Sequence, residues 1–187
     1  MLVLFSDISG FTKLSTTLTA EKVVTILHAV YSRFDKEVAT QNLYKMDTIG
    51  DAYIIIGGLN FDDDAPASQV ADAARDLLEM GEAMLDILAE YRAEEGHEIH
   101  MRIGLHYGEV VGGVVGDSNP RYHIFGDTLV HANLMESSGQ LDRIQVRLLL
   151  RRALIPRCYY ACHARRLTPS PPPPPSPHSR SRTRSWS

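Results

Sequence analysis

The sequence predicts an α+β sandwich, in which helices pack on one face of a mainly antiparallel sheet. Short apolar runs alternate with two long segments whose apolar residues recur at helical spacing. Two of the short runs flank Gly50-Asp51, a tight hairpin signal. The strand-like and helix-like segments are interleaved along the chain, the order that stacks helices on a sheet.

Taken in order, "LVLFSD" (2–7) reads as a buried strand ending in a carboxylate, and "ISGFT" (8–12) as a turn. Segment 19–41 carries Val23, Val24, Leu27, Val30, Tyr31, Phe34 and Val38 at helical spacing, with Thr19 and Lys22 forming half a capping box. "YKMDTI" and "AYIIIGG" are two strands around the Gly-Asp turn. After a loop at 60–66, Pro66 opens a helix expected to reach residue 94, with Val70, Ala73, Leu77, Met84, Leu88 and Tyr91 on its inner side. Two more strands fill 98–116, with a glycine at the join, and "RYHIFG" adds a short extended segment. "DTLVHANLMESSG" (127–139) ends in glycine as a helix would. Strand, helix, hairpin, helix, hairpin, short strand, helix is the order of a ferredoxin-like sandwich.

The charge is unevenly distributed. Residues 1–140 hold 9 Lys+Arg against 22 Asp+Glu, whereas residues 141–187 hold 10 Arg against one Asp. An acidic body argues against nucleic acid as a specific partner, because phosphate backbones are met by clustered cations. The two cysteines, Cys158 and Cys162, stand outside that body, so no disulfide framework is expected and a reducing compartment fits. The opening run is too short and too acidic for a leader or a membrane span. Beyond "DRIQV" (142–146) the pattern gives way to polyproline and an Arg/Ser run, which cannot bury enough apolar surface to order themselves. The expected organisation is therefore a domain over 1–146, incomplete at its C-terminus, and a divergent, largely disordered tail over 147–187.

Five ordered blocks, "FSDISGFTKLS", "YKMDTIGDAYIIIGGL", "MRIGLHYGEVVGGVVG", "RYHIFGDTLVHANLMESSG" and "DRIQV", resemble the class III nucleotide cyclase catalytic domain, and are most similar to its guanylate cyclase branch. The resemblance implies head-to-tail pairing with a second cyclase domain, as a homodimer or heterodimer, with active sites at the interface. It implies a lyase of intracellular signalling that forms cyclic GMP and pyrophosphate from GTP, the 3′-hydroxyl attacking the α-phosphate. Two Mg²⁺ (or Mn²⁺) would be held by Asp7, Asp51 and the Ile8 backbone carbonyl, hard oxygen ligands suited to these ions. The 8–12 turn would offer backbone N–H groups from Gly10, Phe11 and Thr12 to the phosphates, and Gly50 would shape the metal hairpin. Asp47 and His123 fall at the purine contacts. A carboxylate at 47 can accept both N1–H and 2-amino protons of guanine, which favours GTP over ATP, whereas His123 serves either base. The cytoplasm, or the cytoplasmic face of a membrane protein if upstream segments exist, is the implied location.

The pattern is broken in the helix after "FGDT". The family's asparagine and, four residues on, its arginine fall here on Val130 and Leu134, which donate nothing. His131 and Asn133 are polar, but a one-residue offset turns a helical side chain by about 100°. No counterpart of the family's phosphate-contacting lysine follows "DRIQV". The resemblance thus leaves three readings: a guanylate cyclase supplying the metal half of a shared site, a catalytically silent partner that dimerises with and regulates another cyclase, or an adenylate cyclase using ATP.

Overall fold

The computed structural model describes residues 1–61, 65–118, 120–146 and 167–169. The chain order is β1 (Leu2–Ser9), α1 (Phe11–Thr17), α2 (Ala20–Val38), β2 (Leu43–Ile49), β3 (Ala52–Gly57), α3 (Ala67–Glu95), β4 (His100–Tyr107), β5 (Val111–Val115), β6 (Arg121–Phe125), α4 (Asp127–Ser137), β7 (Arg143–Val146) and β8 (Leu167–Pro169). Most of the tail expected at 147–187 lies outside the described residues, as does the Asp62–Asp64 part of the loop after β3.

Six strands form one sheet in the order β2-β3-β1-β4-β7-β8, antiparallel from β2 to β4 and parallel from β4 onward. Strand β1 is central because both of its edges are used: Leu4 sits opposite Ile55 on one side and Leu105 on the other. Period-2 alternation then sorts its side chains. Leu2, Leu4 and Ile8 face α2 and α3 in the main core with Tyr53, Ile55, Ile103, Phe34, Leu77 and Met84. Each such fully buried side chain contributes roughly 1.5–3 kcal/mol of transfer free energy. Val3 and Phe5 face the other way, into a smaller core with Ile54, Ile56, Ile124 and Ala132.

The two long helices thus cover one face, as the interleaved pattern implies, and the shorter α4 crosses the opposite one. Its close approach depends on Gly104, where a Cβ would collide with the Ala132 carbonyl and the Glu136 amide. Helix α2 starts where expected, Thr19 accepting the Lys22 amide proton at 3.3 Å.

Two details depart from the sequence expectation. The turn at 8–12 contracts to Gly10 alone (φ 77°), because β1 runs on to Ser9 and α1 begins at Phe11. The second hairpin joins β5 to β6 as a separate two-stranded sheet, and β4 is not its partner. The end of β4 is clipped to the start of β1 instead: the Met1 ammonium donates to the Gly108 carbonyl (2.9 Å) and the Gly108 N–H returns to the Met1 carbonyl (3.1 Å). Chain leaving that clip is turned out of the sheet.

Candidate active site

Asp7 lies on β1 opposite Ala52 of β3 and Arg102 of β4. Asp51 occupies the two-residue loop between Ile49 and Ala52, after Gly50 at φ 64°. With the left-handed residue first, this is the type II′ pattern, whose twist matches the strands it joins. The hairpin brings Asp51 beside Asp7, close enough for their carboxyls to share a hydrogen bond. The Ile8 amide donates to the Asp51 carbonyl at 3.4 Å. A strand residue directs its N–H and C=O to the same edge, so the Ile8 carbonyl faces this corner too, while its side chain is buried in the main core.

The corner is crowded with negative charge. Burial pushes the Asp7 carboxyl up from the usual 3.8 to about 7, reinforced by the charges of Asp51 and Glu136 and by the hydrogen bond that the protonated Asp7 donates to Asp51, and opposed by Arg102. Arg102 is the compensating cation. Its Nη2 donates to Asp7 at 3.2 Å and its Nε to Glu136 of α4 at 2.7 Å. Glu136 is 3% exposed, so its end of the ion pair beneath α4 is buried while Arg102 keeps partial access to water. The buried Tyr31 hydroxyl is pushed up by burial and then by the same two aspartates.

Gly10 caps α1 in the left-handed region with no neighbour near its missing Cβ, so backbone conformation, not space, calls for glycine. Phe11 packs against the main core and anchors the turn; Thr12 lies in the first turn of α1. Asp47 sits on β2 opposite Ile54, displaced by a bulge between Lys45 and Asp47. The bulge sets Asp47 on the face that carries Ile54 and the second core. Its carboxylate accepts the Thr48 amide proton at 2.8 Å. His123 lies on β6 opposite Gly113, its ring 6.2 Å from that of Phe125. Its neighbours Tyr122 and Ile124 pack with Met46 in the second core, so the two predicted purine contacts flank one cluster. Val130 and Leu134 point outward, 57% and 52% exposed, one turn apart on α4.

The structure therefore brings Asp7, Ile8 and Asp51 to one corner, sets Gly10 at the adjoining turn, and keeps Val130 and Leu134 apart on the outer surface of α4. Arg102 and Glu136 were not singled out from the sequence. Two adjacent carboxylates and a carbonyl suit a hard cation that completes its shell with water and phosphate oxygens. Burial, with the neighbouring acids, disfavours the charged form of Asp7, and a cation at this corner would offset both.

An antiparallel-dominated sheet with helices packed on it and two acids meeting at one corner defines an α+β domain with a candidate site at that corner. The chain belongs to the adenylate and guanylate cyclase catalytic domain family, whose profile matches residues 1–166. It is 41% identical over 144 residues to the dog guanylate cyclase soluble subunit alpha-1, covering 77% of this chain and 20% of that one. It is 40% identical over 146 residues to the human atrial natriuretic peptide receptor 2, covering 77% and 13%. The chain thus spans a fifth or less of the relatives it matches. Among solved structures, the guanylate cyclase domain of RhGC from Catenaria anguillulae in complex with GTP is similar at TM-score 0.67 and 31% identity, over 78% of this chain and 76% of that one. A non-canonical dimeric guanylyl cyclase domain of the RhoGC fusion protein from Blastocladiella emersonii is similar at TM-score 0.69 and 28% identity, over 81% of each. These likenesses put the chain in the guanylate branch of the class III cyclases. Among the described residues no helix is long and apolar enough to cross a membrane.

Proposed function

We propose that this domain is the metal-bearing half of a guanylate cyclase site completed by a second cyclase domain. The observation that carries the reading is the corner where Asp7 and Asp51 meet beside Arg102. Asp7, Asp51 and the Ile8 carbonyl would hold two Mg²⁺ or Mn²⁺. Bound there, the ions would lower the pKa of the ribose 3′-hydroxyl and steady charge on the α-phosphate and pyrophosphate. Arg102, freed from Asp7 once that carboxylate is neutralised, offers phosphate oxygens a planar guanidinium fork while Glu136 keeps it in place. The first amides of α1, which lack intrahelical acceptors, would add donors for phosphate. Asp47 accepts from guanine N1–H and its amino group, and His123 lies across the second core. A nucleoside triphosphate substrate fits a cytoplasmic domain. The acidic stretch 1–146 carries all of these groups, while β8 (Leu167–Pro169), within the segment expected as tail, adds an edge strand to the same sheet beside β7.

Val130 and Leu134 supply no donor, so the ribose-orienting and charge-stabilising groups must come from the other domain. Their exposure favours, as a second reading, a silent partner that docks through α4 and regulates. Complementation separates the two. Mixed with a cyclase domain lacking its own metal aspartates but retaining its Asn and Arg, the chain should form cyclic GMP from GTP and Mn²⁺, and much less cyclic AMP from ATP. Nucleotide binding without product would leave only the regulatory role.

A further inference from the structure

The Tyr31 hydroxyl, carried by α2, is sealed from solvent and has no hydrogen-bond partner. Buried polar groups are nearly always paired, so an orphan hydroxyl near a candidate site calls for a physical reason. Its ring packs on that of Tyr53, with centres 5.2 Å apart, and on that of Phe34 at 6.0 Å. Tyr53 stands two residues beyond Asp51, on the strand that leaves the hairpin. The two stacked phenols differ in their partners. Tyr53 donates to the Asp35 carboxylate at 2.5 Å, whereas Tyr31 donates to nothing. Burial, then the charge of Asp51 and then that of Asp7 hold the Tyr31 proton in place, so this phenol stays a neutral donor beside the hairpin.

We infer that Tyr31 is a positioning residue of the proposed metal site, its hydroxyl donating to the Asp51 carboxylate when Asp51 ligates a cation. The inference rests on the metal-site reading above and deepens it. In the metal-free chain the Asp51 carboxylate already has a donor, the protonated Asp7. That proton leaves when both aspartates ligate as carboxylates. Asp51 then loses the donor it had, while a carboxylate bound through one oxygen keeps further lone pairs to fill. The Tyr31 phenol is the buried neutral donor that feels its charge most. A hydrogen bond to an ionised acceptor is roughly twice as strong as one between neutral groups, so the partner becomes available where it counts most. The Asp51 backbone is already tied through its carbonyl to the Ile8 amide at 3.4 Å, which leaves the side-chain torsion as the freedom to be removed. Removing it is the service that outer hydrogen bonds perform for metal ligands.

The test reads metal binding and not turnover. The whole chain is titrated with Mn²⁺ in the presence of 3′-deoxy-GTP, which has no 3′-hydroxyl to cyclise, free Mn²⁺ is followed by electron paramagnetic resonance, and Tm is taken without metal. Tyr31→Phe should raise the metal-free Tm by about 2–4 °C, because it removes an unpaired buried hydroxyl. The same variant should weaken Mn²⁺ by about 10- to 100-fold. A tyrosine that only packs would not move the two readouts in opposite directions. Tyr53→Phe, which deletes the neighbouring phenol and its bond to Asp35, should lower Tm and leave Mn²⁺ affinity unchanged. Native Mn²⁺ affinity in Tyr31→Phe, or an equal loss in Tyr53→Phe, with binding still abolished by Asp51→Asn, would overturn the role of Tyr31 and leave the metal site standing. A native chain that binds no Mn²⁺ would overturn the metal-site reading and this inference together.

Discussion

At Asp7 three carboxylates and one guanidinium compete for a single half-buried corner. The folded chain holds the Asp7 proton far more tightly than an unfolded chain would, its carboxyl lifted from 3.8 to about 7. The sign follows from linkage: a raised carboxyl contributes stability that is present below its unfolded value and lost as pH rises through its folded one. Metal-free Asp7→Asn should therefore lack that loss and, between pH 4 and 7, gain Tm relative to the native chain, levelling off by pH 8. A relief of about 1 kcal/mol corresponds to about 2–4 °C in a domain of this size. The same variant should lose the Tm response to Mn²⁺ with nucleotide, the cost in function that strained sites carry. Asp47→Lys should weaken GTP by about 10- to 100-fold in equilibrium binding, the worth of charge-assisted bonds to the guanine edge. Unchanged affinity would remove Asp47 from base recognition. The positions of Asp7 and Asp51 on a strand end and a hairpin were legible because such features leave marks within a few residues, whereas their proposed metal role rests on the family resemblance. Arg102 was not legible. Within "MRIGLHYG" it reads as an ordinary outward strand residue, and the acids that define it lie 95 and 34 positions away.

Among the elements, α4 shows the limit of periodicity. Its existence and its terminal glycine were readable, yet the face it covers is decided by Gly104 of β4, whose missing side chain admits the helix backbone. Strand β5 likewise had a clear apolar pattern, but a pattern does not name its partner, and the Met1–Gly108 clip turns the chain away from β4. The bulge beside Met46 belongs to the same class: one extra residue resets which face Asp47 occupies, with no local sequence mark. Because Val130 and Leu134 are exposed and one turn apart, replacing them should cost the fold little. Val130→Asn combined with Leu134→Arg should raise cyclic GMP formation by the chain alone, each restored donor contributing roughly 10²–10³-fold. No gain in a variant of unchanged Tm would mean that a further group is missing.

In the molecule as a whole, a latch draws α3, β4 and the turn before β7 together. Asp142 takes up a left-handed backbone (φ 53°) and donates its N–H to the Met101 carbonyl at 2.7 Å. Its carboxylate lies 2.7 Å from His100 Nδ1, 3.3 Å from the Met101 amide and 3.3 Å from Arg92. Burial alone would raise the Asp142 carboxyl, but the His100 and Met101 hydrogen bonds and the Arg92 charge outweigh it and leave it lowered. A lowered carboxyl contributes stability above its unfolded value that is lost as pH falls through its folded one. The native chain should therefore lose Tm on acidification below about pH 4, near the ordinary Asp value, whereas Asp142→Asn should start lower at pH 7 and lose less on the acid side. The pairing of His100 with Asp142 has no local mark in the sequence, because the two stand 42 positions apart.

Helix α4 is a beam loaded on both surfaces. Outside it presents Val130 and Leu134, and inside its Glu136 grips Arg102, which in turn touches Asp7. Any protein that presses on the outer surface tugs, through two ion pairs, on the carboxylate that a cation would claim. Thermodynamic reciprocity then requires that whatever factor such docking adds to cation affinity, the cation returns to docking.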